Sequence, residues 1–164
     1  MKKIVLLLFF LPLFSAIAQE QEILKKLDAK ADFYGDLARQ IWSNPELGYL
    51  ETKSSALLQK TLVDAGFKVT AGVAGIPTAF VAEYGSGKPV IGIMAEFDAL
   101  PGVSQEAVPF RKAAVEGGAG HACGHHLFGA ASVAAGISIM DWMKANKIKG
   151  TVRVYGTPAE EGGG

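Results

Sequence analysis

The apolar positions fall into segments with two different periods. From Gln21 to Trp42, the residues Ile23, Leu24, Leu27, Tyr34, Leu37, Ala38, Ile41 and Trp42 recur at helical spacing, which predicts one long helix ended by SNPELG. Thr52 to Ala65 repeats the pattern through Leu57, Leu58, Leu62 and Ala65, and Gly66 stands where a helix end favours glycine. FKVT follows as a short strand. TAFVAEYG and PVIGIMAEF are rich in apolar and β-branched residues and read as two strands of one sheet, joined through SGK as a hairpin or a short connection. Ala99 to Gly120 has little periodicity and contains Pro101 and Pro109, the signature of a long loop of the kind that often carries function. In LFGAASVAAGISIMDWMKAN, the small residues Ala130, Ala131, Ala134, Ala135 and Gly136 would let a helix lie close against a sheet. TVRVYG then supplies another strand. Helices alternating with strands predict a three-layer α/β domain without internal repeats or an interdomain linker.

Composition refines this picture at the start of the chain. Lys2 and Lys3, an apolar run from Ile4 to Phe14, and the small-residue close Ala16-Ile17-Ala18 predict a secretory signal peptide over residues 1–18, cut before Gln19. Its apolar core is shorter than the ~20 residues of a spanning helix. The expectation is therefore export, periplasmic or secreted, without a membrane anchor after cleavage. Loss of Lys2 and Lys3 would leave 14 basic side chains against 16 acidic ones, and no basic stripe favours nucleic acid. A single cysteine, Cys123, excludes an intramolecular disulfide and asks what an exported thiol is for. The ending, with Gly162 to Gly164 directly after a strand and two carboxylates, reads as a chain stopped in mid-fold. Residues 19–164 are expected to be the N-terminal portion of a larger catalytic domain.

Three short stretches carry the chemistry. GHACGHH places His121, Cys123, His125 and His126 within six residues, and an extended backbone would send His121, Cys123 and His125 to one side. Thiolate and imidazole together suit zinc and other borderline transition metals. Two further readings stay open: a thiol nucleophile with a histidine base, and a loop whose histidines are satisfied by backbone groups. GIMAEFDALPG puts Glu96 and Asp98 at the end of an apolar strand, where open α/β sheets place ligand sites. TPAEEGGG sets Glu160 beside Glu161 after another strand, a repulsive pair unless a cation or proton lies nearby.

NPELGYLE, GIMAEFDALPG, GHACGHHLFGAA and TPAEEGG appear in the order and spacing of the M20 metallopeptidase family. The chain resembles the amidohydrolase branch of that family from about Leu24 onward, and looks most like its aminobenzoyl-glutamate utilization protein B group. The resemblance implies a zinc-peptidase-like three-layer catalytic domain using two zinc or manganese ions to hydrolyse an amide bond in N-acyl or aminobenzoyl amino acids. It implies Cys123, His125 and Glu161 as metal ligands and Glu160 as the general base. Asp98 matches an aspartate that orients a ligating histidine two residues earlier, a position held here by Glu96. His121 matches an outer position suited to supporting a ligand. His126 stands where the branch has Asp or Asn, open to ligand, supporting or substrate-contacting roles. Family enzymes continue into further ligands and a lid or dimerisation domain, so a homo-oligomer is an expectation for the full-length protein only. The alternative function is a non-catalytic exported metal-binding fragment.

Overall fold

The computed structural model of the chain describes residues 19–163, so the expected signal peptide, residues 1–18, lies outside the described residues. Residues 19–28 are helical and end in a turn at residues 29 and 30. A separate helix α1 (Ala31–Trp42) follows. The single long helix expected over this stretch is thus two. Between Leu27 and Phe33 the sequence DAKAD offers only alanine methyls as apolar groups, so no large side chain rewards continuing the helix, and Lys30 N–H turns back onto the Leu27 carbonyl instead.

The remainder runs α2 (Thr52–Ala65), β1 (Lys68–Ala71), β2 (Phe80–Ser86), β3 (Val90–Glu96), α3 (His125–Asn146) and β4 (Gly150–Thr157). Helix α2 has the predicted bounds, and Gly66, at φ 109°, donates its N–H to the Leu62 and Val63 carbonyls in the left-handed closing turn. The Glu46 carboxylate supplies the other end of α2. It accepts from the backbone N–H groups of Lys53 at 3.0 Å and Ser54 at 2.8 Å, satisfying amides the helix leaves open.

The sheet order is β1-β2-β4-β3. β2 and β3 share the sheet as expected but are not a hairpin, because β4 inserts between them, antiparallel to β2 and parallel to β3. The physical reason lies at the entrance of β4. Thr151 donates its N–H to the Pro89 carbonyl and its hydroxyl to the Gly87 carbonyl, so the later strand takes the bonds a hairpin would have closed locally. β3, α3 and β4 form a β-α-β unit, and their parallel pairing brings the C-terminal ends of β3 and β4 side by side.

One core joins sheet and helices. Phe80, Ala82, Ala95, Val152 and Val154 from the sheet pack with Leu37 and Ile41 of α1, Leu58 and Leu62 of α2, and Val133, Ile137 and Met140 of α3. The α/β class is as expected. Among the described residues these helices cover one face of the sheet, whereas the other carries Glu83, Arg153 and Tyr155, with Arg153 Nε 2.6 Å from Glu83 Oε2. The small-residue face of α3 works as the sequence implies at Ala130, Ala134 and Gly136, which are buried, while Ala131 and Ala135 face outward. A methyl placed on Gly136 would lie 2.5 Å from Val154 Cγ2, and one placed on Gly129 would lie 2.7 Å from the Glu96 carbonyl oxygen. Among the described residues, no helix is long and apolar enough to cross a membrane.

Two identical substitutions should therefore move stability in opposite directions. Gly35→Ala, in α1 with open space around the added methyl, is expected to stabilise by about 1 kcal/mol through helix propensity. Gly136→Ala gains the same propensity but overpacks the helix-sheet contact, an effect of about 1–3 kcal/mol, and should be net destabilising. Urea midpoints of the two variants decide; equal shifts of one sign would refute the close approach.

Candidate active site

Three chain segments meet beyond the carboxyl ends of the parallel pair, where open α/β sheets hold their ligands. β3 runs out into Glu96, Phe97 and Asp98. After an irregular stretch, α3 begins at His125. β4 ends at Thr157, and Ala159 turns the chain through a left-handed conformation at φ 61° into a single 3-10 turn, Glu160–Gly162. Ladder partners Glu96 and Thr157 mark the end of the shared register, so the residues after each strand emerge on the same side of the sheet.

His125 is the centre of this junction and is 4% exposed. Its Nδ1 lies 2.8 Å from Asp98 Oδ1, and its Nε2 lies 3.0 Å from Glu96 Oε2 and 3.7 Å from Glu160 Oε2. Asp98, 1% exposed, also accepts the backbone N–H of Glu161 on its second oxygen at 2.9 Å. A carboxylate only accepts, so both contacts are satisfied together only by a ring that carries a proton on each nitrogen; in the neutral ring one nitrogen turns a lone pair toward a carboxylate. A divalent cation bound by that nitrogen and the neighbouring carboxylates would relieve the same repulsion. An imidazole that gives one N–H to a carboxylate and turns its other nitrogen to an ion is the usual arrangement of metal-binding histidines.

The donors fit such an ion. Ligand atoms of Cys123, His125 and Glu161 lie within 4.8 Å of one another, as do those of Glu96, His125 and Glu160. Zinc holds its ligands at roughly 2.0–2.3 Å, so either set needs only small side-chain movements to share one ion. Both sets draw on His125 but from different sides of the ring: Glu96 and Glu160 face Nε2, whereas Glu161 comes nearest to Nδ1, at 3.9 Å, the nitrogen that Asp98 already engages, so the ring must turn to serve Cys123 and Glu161. The expected ligands Cys123, His125 and Glu161 are thus brought together, with Glu96 and Glu160 beside them.

The route by which they meet differs from the expected alternation. GHACGHH is bent rather than extended, and Gly124, at φ 96°, turns Cys123 next to the first residue of α3. His121 leaves the cluster. It is buried, its ring centroid lies 5.2 Å from that of His126, and although the backbone of Ile41 and Asp98 lies close enough to interact with it, neither nitrogen makes a well-aligned hydrogen bond. His126 Nδ1 is likewise buried and unpartnered.

The local electrostatics bear on the thiol. Cys123 is exposed, yet its pKa is raised, first by the charge of Glu161, then by desolvation, by its hydrogen bond to Glu161 and by the charges of Glu160 and Glu96. A nucleophilic thiol needs the opposite shift. A divalent cation bound among these carboxylates would favour the thiolate against their charge, which suits a ligand role. Glu96 is also raised, mainly by burial; His125 opposes this, and Glu160, Asp98 and Glu161 add to it.

Burial lowers the pKa of His121 to about 4, assisted by His126 and His125 and opposed by the backbone groups of Ile41 and Asp98. A native pKa below the ordinary 6.5 means that the unfolded chain binds the proton more readily. This contribution to stability is complete above pH 6.5 and is lost as the pH falls toward 4. In metal-free protein, His121→Asn should flatten the decline of the urea midpoint across that window; an unchanged slope would contradict the burial of an uncharged ring.

The sequence profile of Peptidase family M20/M25/M40 matches residues 92–164, the segment that holds all the ligand candidates. A p-aminobenzoyl-glutamate hydrolase subunit of Escherichia coli (strain K12) is 45% identical over 148 residues, which cover 87% of this chain and 31% of that protein. N-acetylcysteine deacetylase of Bacillus subtilis (strain 168) is 33% identical over 128 residues, covering 77% of this chain and 32% of that protein. A solved structure of the Bacillus subtilis YXEP protein, described as a dinuclear metal binding peptidase from the M20 family, superposes with a TM-score of 0.68 at 29% identity, covering 82% of this chain and 36% of that one. The chain spans about a third of the length of the curated relatives it matches. With the matched profile, the shared catalytic-domain fold and the Cys-His-Glu junction in agreement, this chain belongs to the M20 peptidase family.

Proposed function

We propose that this chain is the N-terminal portion of the catalytic domain of an exported, metal-dependent amidohydrolase that releases an amino acid from an N-acyl or aminobenzoyl amide. The observation that carries the reading is the His125 ring, with one nitrogen held by Asp98 and the other facing Glu96 and Glu160, and with Cys123 and Glu161 alongside. The names of the relatives supply the substrate class: one acts on p-aminobenzoyl-glutamate, another on N-acetylcysteine. Both substrates join an amino acid to an acyl group through an amide.

In this reading Cys123, His125 and Glu161 hold a zinc or manganese ion, and the complete site holds two ions with donors from beyond these residues. A bound divalent ion supplies Lewis acidity, which can bring the pKa of water from 15.7 to roughly 7. Asp98 holds one nitrogen of the imidazole and accepts the Glu161 backbone N–H, so that both residues keep their orientation. Glu160, with its side chain half exposed at 51%, is the carboxylate that reaches solvent and substrate. It accepts the proton of the attacking water and returns it to the leaving nitrogen, the two transfers amide hydrolysis requires. Glu96 lines the same ring and helps set the charge of the pocket.

Elemental analysis of the purified chain is expected to find zinc or manganese that a chelator removes; hydrolysis of aminobenzoyl-glutamate, lost with the metal, is expected of a longer protein that supplies the remaining donors and to be weak or absent in these 164 residues alone. Glu160→Gln should keep the metal and lower turnover by about 10²–10⁴-fold, the usual contribution of a general base. Cys123→Ser should lower metal content with the fold retained. Protein that takes up no divalent metal after loading, or a Glu160→Gln variant with full turnover, would overturn the assignment. Metal without turnover in that longer protein would favour the non-catalytic metal-binding alternative.

Export is part of the same proposal and rests on residues 1–18. Protein expressed from the whole sequence should be recovered outside the cytoplasm with Gln19 as its first residue. An intact Met1 terminus on protein retained in the cytoplasm would remove export from the reading.

A further inference from the structure

The motif NPELGYLE is distant in sequence from every proposed ligand, yet it lies against the Ala159–Glu161 turn. Glu51 carries a fully buried carboxyl group with 0% exposure. Its Oε2 accepts the Thr78 hydroxyl at 3.0 Å, and its Oε1 accepts the backbone N–H of Ala159 at 2.9 Å, across 108 positions of sequence. Gly48 approaches the same residue from the other direction. A methyl built on Gly48 would lie 2.8 Å from Ala159 Cβ and 3.0 Å from its Cα, closer than side-chain carbons tolerate. Ala159 is itself at φ 61°, a conformation that alanine avoids and that surrounding contacts must therefore hold.

From this geometry we propose that Glu51 is a positioning residue. Its carboxyl group fixes the Ala159 amide, and with the clearance left by Gly48 it sets the left-handed turn that aims Glu160 and Glu161 at His125. The inference rests on the metal-amidohydrolase reading for its functional consequence, but the clamp itself consists of two contacts. Glu161 is tied on its other side by Asp98, which accepts its N–H at 2.9 Å. The turn is thus held at Ala159 and at Glu161, with Glu160 between the two anchors. Glu51 belongs to neither candidate ligand group. Its effect passes through the backbone of the residues after Ala159.

A buried carboxyl that served stability alone would act on the whole fold equally, whereas a clamp acts on one amide and on the residues that amide positions. Glu51→Gln preserves an oxygen to accept from Ala159 and an amide N–H that the Thr78 hydroxyl oxygen can accept, whereas Glu51→Ala preserves neither. Hydrogen exchange resolved at Ala159 should accelerate at least about tenfold in Glu51→Ala relative to Val152 and Val154, on the scale of losing one buried hydrogen bond, and remain near the unaltered rate in Glu51→Gln. Cobalt(II) titration, read from the thiolate charge-transfer band of Cys123, should show the same order, with weakened binding in Glu51→Ala and recovery in Glu51→Gln.

A second series avoids Glu51 altogether. Gly48→Ala should weaken cobalt binding by pressing on Ala159, and adding Ala159→Gly should restore it, because the second change removes the clashing methyl and suits φ 61°. Uniform acceleration of exchange through β4 in Glu51→Ala, or cobalt affinity unchanged in both Glu51→Ala and Gly48→Ala, would overturn the clamp. Cobalt binding absent from the unaltered protein would instead overturn the proposed function. The clamp would then be decided by the Ala159 exchange rates and by whether Ala159→Gly rescues the thermal stability of Gly48→Ala.

Discussion

The arrangement depends on one buried carboxylate. Asp98 stands two residues past β3 and uses each oxygen for a different segment, one for the His125 ring at the start of α3 and the other for the Glu161 backbone after β4. An aspartate side chain is short, so it can join these segments only because the parallel pairing of β3 with β4 brings both strand ends to one place. Burying a carboxylate costs several kcal/mol unless its oxygens find donors. Here each oxygen has one. The fold thus requires the His125 and Glu161 contacts as much as the site does, and the ligand geometry is set by the same interactions that make the strand end tolerable.

Charge at the junction is unbalanced. Among the described residues, the nitrogen contacts of Glu96, Asp98, Glu160 and Glu161 within 4 Å go to His125, a single ring serving four carboxyl groups. Lysine and arginine are used elsewhere: Arg39 with Asp36, Lys112 with Glu106 and Arg153 with Glu83 lie on partly or fully exposed surface. Such exposed pairs contribute only about 0–1 kcal/mol each. This negative charge raises the Cys123 thiol, and it adds to the burial that chiefly raises Glu96; a divalent cation among these groups would oppose both shifts.

Much of this was legible in local pattern. The limits of α2 and its closing Gly66, the small-residue face of α3 and the grouping of Cys123, His125 and Glu161 all follow from spacing or motif. The features that local pattern missed were decided by partners distant in sequence. β2 and β3 look like a hairpin until β4, more than fifty residues later, takes the place between them. His121, Cys123 and His125 alternate in sequence, but Gly124 bends the chain, and His121 turns away to pack against His126. Glu51 gave no sign of its role, because its partners are the backbone of Ala159 and a hydroxyl 27 residues away, neither of which a helical or strand period can encode.

The Ala159–Glu161 turn shows how these distant contacts make a site rigid. A left-handed alanine costs on the order of 1–3 kcal/mol, so the turn would not persist on local preference. Two backbone amides flanking Glu160 are each held by a buried carboxyl group, Glu51 on one side and Asp98 on the other. Breaking either bond would leave a buried acceptor unsatisfied, a loss of about 1–3 kcal/mol, comparable with the strain of one left-handed alanine. The acid pair is therefore presented by a turn whose conformation is fixed before any ion or substrate arrives, and the strain at Ala159 is offset by the same carboxyl groups that aim its neighbours at His125.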